Sequence, residues 1–392
     1  MATSGAVALF IDTMTGSIAL VGLAVTLQTL CLIIGQLIGA PCVNSIRNIP
    51  NMLFKAMLIQ RAIPLLMAVP LFFGAGAYFS AGVFLALFGI FWMGDGIVTM
   101  PWSELAARAL KPELRGHMMG MQVMVGGGLS LLTGLLLTWL LATPALTDHF
   151  RFGYIFILTS STLLLSVIFI KLVKDPKPTR IPEKVDYKKY FVQLPALLRD
   201  SKPLQGVLIA RIPGYIGFSV ITFMVVFGAN TLDITHAQIS WLVYSQIIGA
   251  LLSGFVLGET SRRFGNKTVI ILCNLGVLIT LSMALSLMIF PSLGYIWLLA
   301  ICILASLWLG NWLGYINYFI DISPREYRPA FQVIGSCIGI PFSFIGYGLG
   351  AIIDNWGYAI VFVLGGIASI IAILASTRLL SRKQIKSLNL QT

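Results

Sequence analysis

The chain has 392 residues, 58% of them hydrophobic and only 10% charged, with 26 Lys and Arg against 14 Asp and Glu. A mean hydropathy of +0.92 excludes a soluble globular protein, because roughly 20 apolar residues cover about 30 Å of hydrocarbon and such runs recur along the chain. The runs are continuous and rich in Leu, Ile, Gly and Ala, which excludes a transmembrane β-barrel, whose strands alternate in polarity.

In chain order, the opening MATSGAVALFI is apolar but too short to cross a bilayer and lacks the basic start of a secretory signal; it reads as the second half of a helix whose beginning is missing. Eleven spans follow, near 18–43, 53–73, 81–107, 117–142, 152–171, 204–229, 238–258, 268–290, 294–320, 329–353 and 356–377. Lys171 to Pro203 is the one sizeable polar stretch, with five prolines and nine basic residues, and is expected to be an extended linker with a short surface helix around Tyr187 to Leu198. The expected organisation is therefore an N-terminal bundle over 1–170, a linker over 171–203, a C-terminal bundle over 204–378 and a tail over 379–392.

Charge placement orients these spans. Lys and Arg cluster at 47–61, 108–115, 171–202, 262–267, 325–328 and 378–386, all on one side, which holds 24 of the chain's 26. The positive-inside rule makes that side, linker and C-terminus included, cytoplasmic. The net charge of +12 is thus a matter of topology, with anionic lipid headgroups as partners and no nucleic acid. Cys31, Cys42, Cys273, Cys302 and Cys337 show no CxxC spacing, and His117, His149 and His236 are dispersed, so no metal, cofactor or disulfide framework is expected. No soluble segment could house an ATPase, so uphill movement of a solute would draw on an ion gradient.

The two halves echo one another. Glu104 and Arg115 are eleven residues apart in PWSELAARALKPELRG, and Asn317 and Arg328 repeat that spacing in GYINYFIDISPREYRP. GQLIGAPCVNSIRN, with Gly35 and Gly39, is echoed by GFVLGETSRRFGNK, with Gly254 and Gly258. Two-half repeats suit alternating access, in which similar bundles rock around a central site.

These residues resemble the major facilitator superfamily over essentially the whole chain. Gly258 to Lys267 looks like the family's GxxxDRxGRK loop: Arg262 replaces its Asp, whereas Arg263, Gly265 and Lys267 fit; Glu259 lies beside them. The first-half copy, from Gly39, is poorer, with Asn44 near the acidic place, and Pro112 to Gly116 resembles the common start of the fifth span. The glycine-rich fifth and eleventh spans, the latter with Pro341, resemble the family's hinge helices, although the fifth lacks an antiporter motif. The resemblance implies two six-helix bundles related by pseudo-symmetry, the first helix incomplete, with spans 1, 4, 7 and 10 lining a cavity.

Within the hydrocarbon, charge is scarce. Asp95, in FWMGDGIVTM, lies roughly 21 Å from the outer end of its span. A lone carboxylate there costs about 2.5–3.5 kcal/mol unless it is hydrated, paired or protonated, which makes Asp95 the leading coupling or substrate residue. Arg211 lies about 10 Å deep from the cytoplasmic end, at a depth where it could meet Asp95 across the halves; the alternatives are backbone bonding for Asp95 and snorkelling for Arg211. Trp102, Tyr215, Asn311, Trp312, Tyr315 and Asn317 extend the solute-contact candidates by stacking and hydrogen bonding, against packing as the commoner role. Glu104 and Arg115 either anchor the cytoplasmic mouth or join a charge network that forms in one access state, together with Arg328 and the Gly258 to Lys267 loop. The resulting expectation is a secondary transporter of a small organic solute in the bacterial cytoplasmic membrane, monomeric, proton-coupled through Asp95, and not an enzyme. Facilitated diffusion and a non-transporting receptor or assembly factor on the same fold stand as alternatives.

Overall fold

A computed structural model describes residues 2–142, 147–173, 185–224, 227–228 and 236–389. Among the described residues every regular element is helical, the form in which a lipid-immersed backbone satisfies its own hydrogen bonds. The first half holds α1 (Ala2–Thr15), α2 (Ile18–Gly39), α3 (Ile49–Phe72), α4 (Ala77–Ala109), α5 (Pro112–Ala142) and α6 (Asp148–Ile170). Then come α7 (Tyr187–Asp200), α8 (Lys202–Ile221), α9 (His236–Phe264), α10 (Asn266–Ile289), α11 (Gly294–Trp308) and α12 (Trp312–Ile322). The chain continues through α13 (Arg328–Cys337), α14 (Gly339–Phe342), α15 (Ile345–Trp356), α16 (Tyr358–Thr377) and α17 (Arg382–Asn389).

Local chemistry sets the boundaries. Asn48 caps α3 by accepting from the Asn51 amide at 2.9 Å, with Pro50 in the first turn where no donor is missed. Ser201 caps α8 in the same way, through the Leu204 amide at 3.4 Å. Gly265, at φ 88°, reverses the chain between α9 and α10 in a single residue, a conformation that a side chain would strain.

Among the described residues, eight segments are long and apolar enough to cross a membrane: Leu20–Ser45, Ile49–Phe72, Ala77–Ala109, Asp148–Ile170, Lys202–Ile221, Asn266–Ile289, Pro291–Ile322 and Tyr358–Thr377. The spans expected at 117–142 and 238–258 fall on α5 and α9. The run expected at 329–353 is not one helix: it is α13, α14 and α15, with interruptions at Ile338 and at Ser343 and Phe344. Pro341 explains the break, since it donates no backbone bond and its ring crowds the Cys337 carbonyl four residues earlier. A second correction concerns the basic group at 47–61. Lys55 and Arg61 are inside α3, and Arg61 stands at its midpoint, deep in a span and not at a loop.

Two compact units form, one of Met1–Ala109 with Ser130–Phe191, the other of Leu110–Leu129 with Val192–Thr392. In unit 1, α2 packs on α4, α3 on α6 and α3 on α4. Its core at one end is aromatic, with Phe10 against Phe84 at 4.8 Å and against Phe152 at 5.1 Å between ring centres. At the other end Ile49, Leu53, Leu105 and Val167 close it. Unit 2 repeats the three pairings as α9 on α11, α10 on α16 and α10 on α11, around Val277, Leu281, Leu298 and Phe362. The recurrence is the structural counterpart of the sequence echoes.

Small residues make the tight crossings possible. A Cβ on Gly35 would meet the Met93 carbonyl oxygen at 2.0 Å, and one on Gly96 the Leu32 oxygen at 2.1 Å, so α2 and α4 touch backbone to backbone. In unit 2 the first half of α5 crosses α9 at Gly120, whose Cβ would stand 2.2 Å from the Gly254 oxygen and 2.7 Å from the Gly258 Cα.

Candidate functional site

Two mid-span charges of unit 1 stand on α3 and α4. Asp95 is half-buried on α4 between two glycines with different neighbours: at Gly94 a Cβ would strike Gln60 Cγ of α3 at 2.8 Å, and at Gly96 it would strike α2. The carboxylate makes no hydrogen bond or direct ion pair among the described residues; Thr99 Oγ1 donates to the Asp95 backbone carbonyl at 2.7 Å, as a one-turn bond within the helix. The cation that acts on it electrostatically is Arg61 of α3. Arg61 itself is held toward α6, donating to the Leu163 carbonyl at 3.2 Å and to Ser166 Oγ, while Ser160 Oγ donates to the Arg61 carbonyl at 2.6 Å. Sequence reading does not single out Arg61, because it is grouped with Arg47 and Lys55 as one cluster between spans. The apolar Met57, Leu58 and Ile59 before it and Ala62 and Ile63 after it are the signal that it stands within a span.

Lower in unit 1, Glu104 is buried and accepts from Arg108 Nε at 2.7 Å one turn on, and Trp102 packs against the Ile49, Leu53 and Leu105 cluster. Glu104 and Arg115 thus belong to different units, and each has a charge partner within its own.

Unit 2 gathers several of the expected solute-contact residues around Arg211 of α8. Its guanidinium carbon lies 5.2 Å from the Tyr215 ring centre, 5.0 Å from Tyr315 and 5.4 Å from Phe319. Tyr215 stacks on Phe342 of α14, centres 5.1 Å apart and planes within 9°. Gly214, one residue before Tyr215, leaves room for Tyr315 Oη and Asn274 Oδ1, which a Cβ would meet at 3.3 and 3.4 Å. Asn311 stands in the short 3-10 turn between α11 and α12, and Trp312, which begins α12, is 38% exposed. Asn317 differs from the rest: it is fully buried, with its amide donating to the Leu313 carbonyl at 3.0 Å and to Met119 Sδ at 3.2 Å, the arrangement of a packing residue.

At the end of unit 2 that carries the loops, Asp321 is the hub. Arg115 Nη1 stands 3.2 Å from its Oδ1, Asn266 Nδ2 donates to its Oδ2 at 2.7 Å, Ser261 Oγ donates to Asn266 Oδ1 at 2.6 Å, and Arg328 acts on it electrostatically. Neither Asp321 nor Asn266 is singled out by sequence reading, although Asp321 follows Asn317 by one helical turn and so shares its face. In the α9–α10 loop, Glu259 accepts from Arg262 Nε at 2.7 Å and pairs with Arg263, which holds its carboxyl at about 2, well under the ordinary value of 4.5. Lys267 Nζ donates to the Thr377 and Leu379 carbonyls at 2.7 Å each, placing a cation at the negative end of α16. Glu113 pairs with Arg382 and, at 3.3 Å, with Lys386, which ties the start of α5 to α17.

Residues 207–391 match the sequence model of the Major Facilitator Superfamily. Among solved structures the chain is similar to the proton:xylose symporter XylE, with 14% identity and a TM-score of 0.72 over 98% of this chain and 94% of that one. It is also similar to a bacterial homologue of the iron transporter ferroportin in an outward-facing state, with 12% identity and a TM-score of 0.69 over 96% of each chain. The E. coli fucose:proton symporter FucP gives 14% identity and a TM-score of 0.60 over 95% of this chain and 97% of that one. At such identities the likeness is one of fold. Among curated proteins, no sequence matches the chain.

Proposed function

We propose, from the premise that the chain belongs to the major facilitator superfamily in its fold and in the sequence of its second half, that it is a proton-driven secondary transporter. It moves a small organic solute by alternating access across the cytoplasmic membrane of a bacterium, as a monomer among anionic lipids, with linker and tail in the cytoplasm. The observation that carries the coupling is Asp95: a carboxylate in mid-span with no direct partner among the described residues, and with the Arg61 charge acting on it from the next helix.

Physical chemistry then supplies the cycle. The ionised carboxylate needs water or a cation and holds its site open to one aqueous phase. Protonation removes that need, and the site can pass through a water-excluded arrangement with the solute aboard; loss of the proton to a far side of higher pH biases the cycle forward. Arg61, fixed by Leu163 and Ser166 on the next helix, keeps a positive charge acting on Asp95. The two symporters among the similar structures carry sugars together with protons, which supports gradient coupling for this chain without naming its solute.

The test uses the purified full chain in proteoliposomes loaded with a pH-sensitive dye and challenged with sugars and organic acids under a pH gradient. A solute that moves protons in wild type and, in Asp95→Asn, exchanges without moving protons is the expected result. Unaltered proton movement in Asp95→Asn removes Asp95 from the coupling, and a solute that crosses in wild type without moving protons leaves facilitated diffusion.

A further inference from the structure

We infer that Arg211 is the anchor for an oxyanion, so that the solute of this transporter carries a carboxylate or phosphate group; the inference rests on the transporter reading above and names its substrate class. A guanidinium has five N–H donors and no acceptor of its own. Arg211 has no hydrogen bond and no ion pair among the described residues; its contacts are the faces of Tyr215, Tyr315 and Phe319. Ring faces attract the charge but accept no N–H bonds of ordinary strength, so the cage stabilises the cation and leaves its donors unfilled.

Two described carboxylates of unit 2 are already engaged elsewhere. Asp321 is held by Arg115 and Asn266, and Glu259 by Arg262 and Arg263. Arg211 is half-buried on α8 between Ala210 and Ile212, within a segment apolar enough to cross the membrane, where an unpaired cation is expensive. A carboxylate or phosphate presents two oxygens at the spacing of the guanidinium fork, and a bidentate bond to it is shorter and stronger than one to water. Tyr215, half-buried and stacked on Phe342, stands at the same place with a hydroxyl able to donate to the same group. A neutral solute could fill the donors with hydroxyl or carbonyl oxygens but would leave the positive charge unmatched, so this cage favours an anion.

The experiment is thermal melting of the purified full chain in detergent with succinate, inorganic phosphate or D-glucose, and with phosphatidylglycerol as a separate arm. The expected result is a melting temperature raised by succinate or phosphate and not by glucose, with the apparent affinity weakened at least about tenfold in Arg211→Gln and less in Arg211→Lys. Tyr215→Phe, which keeps the ring and removes the hydroxyl, is expected to weaken binding by a smaller factor with an unchanged melting temperature in the absence of ligand, so that a folding defect is told apart from a binding one. A shift that Arg211→Gln does not change, no shift with either oxyanion at millimolar concentration, or a shift with phosphatidylglycerol alone overturns the proposal. Proton-coupled flux confined to neutral solutes would retire the oxyanion class and leave the transporter; Arg211-dependent oxyanion binding without flux in proteoliposomes would retire the transporter and leave the site.

Discussion

Single residues in this protein divide according to what their charges find. Glu259 is half-buried at the end of α9, and two arginines one turn away hold its carboxyl at about 2, from an ordinary 4.5. The folded-state value is depressed, so the pairing is fully present above pH 4.5 and is lost as pH falls through about 2. A carbon-13 titration of the Glu259 carboxyl in the full chain is expected to show a midpoint near 2 that climbs toward 4.5 in Arg262→Gln; a wild-type midpoint near 4.5 would show that the pairs do not persist in solution. Residue identity made Asp95 and Arg211 legible in the sequence, because a charge amid apolar neighbours is conspicuous there. Arg61 and Asp321 were not: Asp321 lies within five residues of Arg325 and Glu326, and Arg61 groups with Arg47 and Lys55 until the path of the helix separates a mid-span arginine from a loop arginine.

Among the helices, glycine spacing was visible in sequence, but which glycines bear on a neighbour was not, since that depends on rotation about the helix axis. Gly120 and Gly126 on α5 illustrate the difference. A Cβ at Gly120 would collide with backbone of α9, which has no rotamer to yield, whereas at Gly126 it would meet nothing within 4 Å. Gly120→Leu is expected to destabilise the protein by at least about 1–3 kcal/mol, read as a lowered midpoint of unfolding in a denaturing detergent titration. Gly126→Ala should change it by less than about 1 kcal/mol. Equal effects at the two positions would mean that the α5 and α9 backbones are not in contact. The eleventh span was the element least faithfully read: its apolar content runs on through 353, and hydropathy does not register what Pro341 does to the backbone.

For the whole molecule, the order of helices and the two-half repeat followed from sequence, and the same three helix pairings recur in each unit. How the expected tail over 379–392 is seated was not legible in the sequence: it packs into unit 2. Leu379 and Ile385 are buried with Tyr318 and Phe319, the Leu380 amide donates to Tyr318 Oη at 2.9 Å, and Arg382 and Lys386 meet Glu113. Ending the chain at Arg378 removes two aliphatic side chains worth about 1.5–3 kcal/mol each, and an acceptor of Lys267 with them. The melting temperature of the truncated protein in detergent should therefore drop clearly; an unchanged value would mean that the tail is not seated.

The interruption of the α13–α15 run has a mechanical consequence. An unbroken helix resists bending because each degree of tilt must stretch bonds along its convex side, whereas a run whose bond ladder is interrupted at two places yields there at less expense. Tyr215 stacks on Phe342, inside the short piece between the interruptions. The ring beside Arg211 therefore rests on a part of the backbone that adjusts more readily than a continuous helix would.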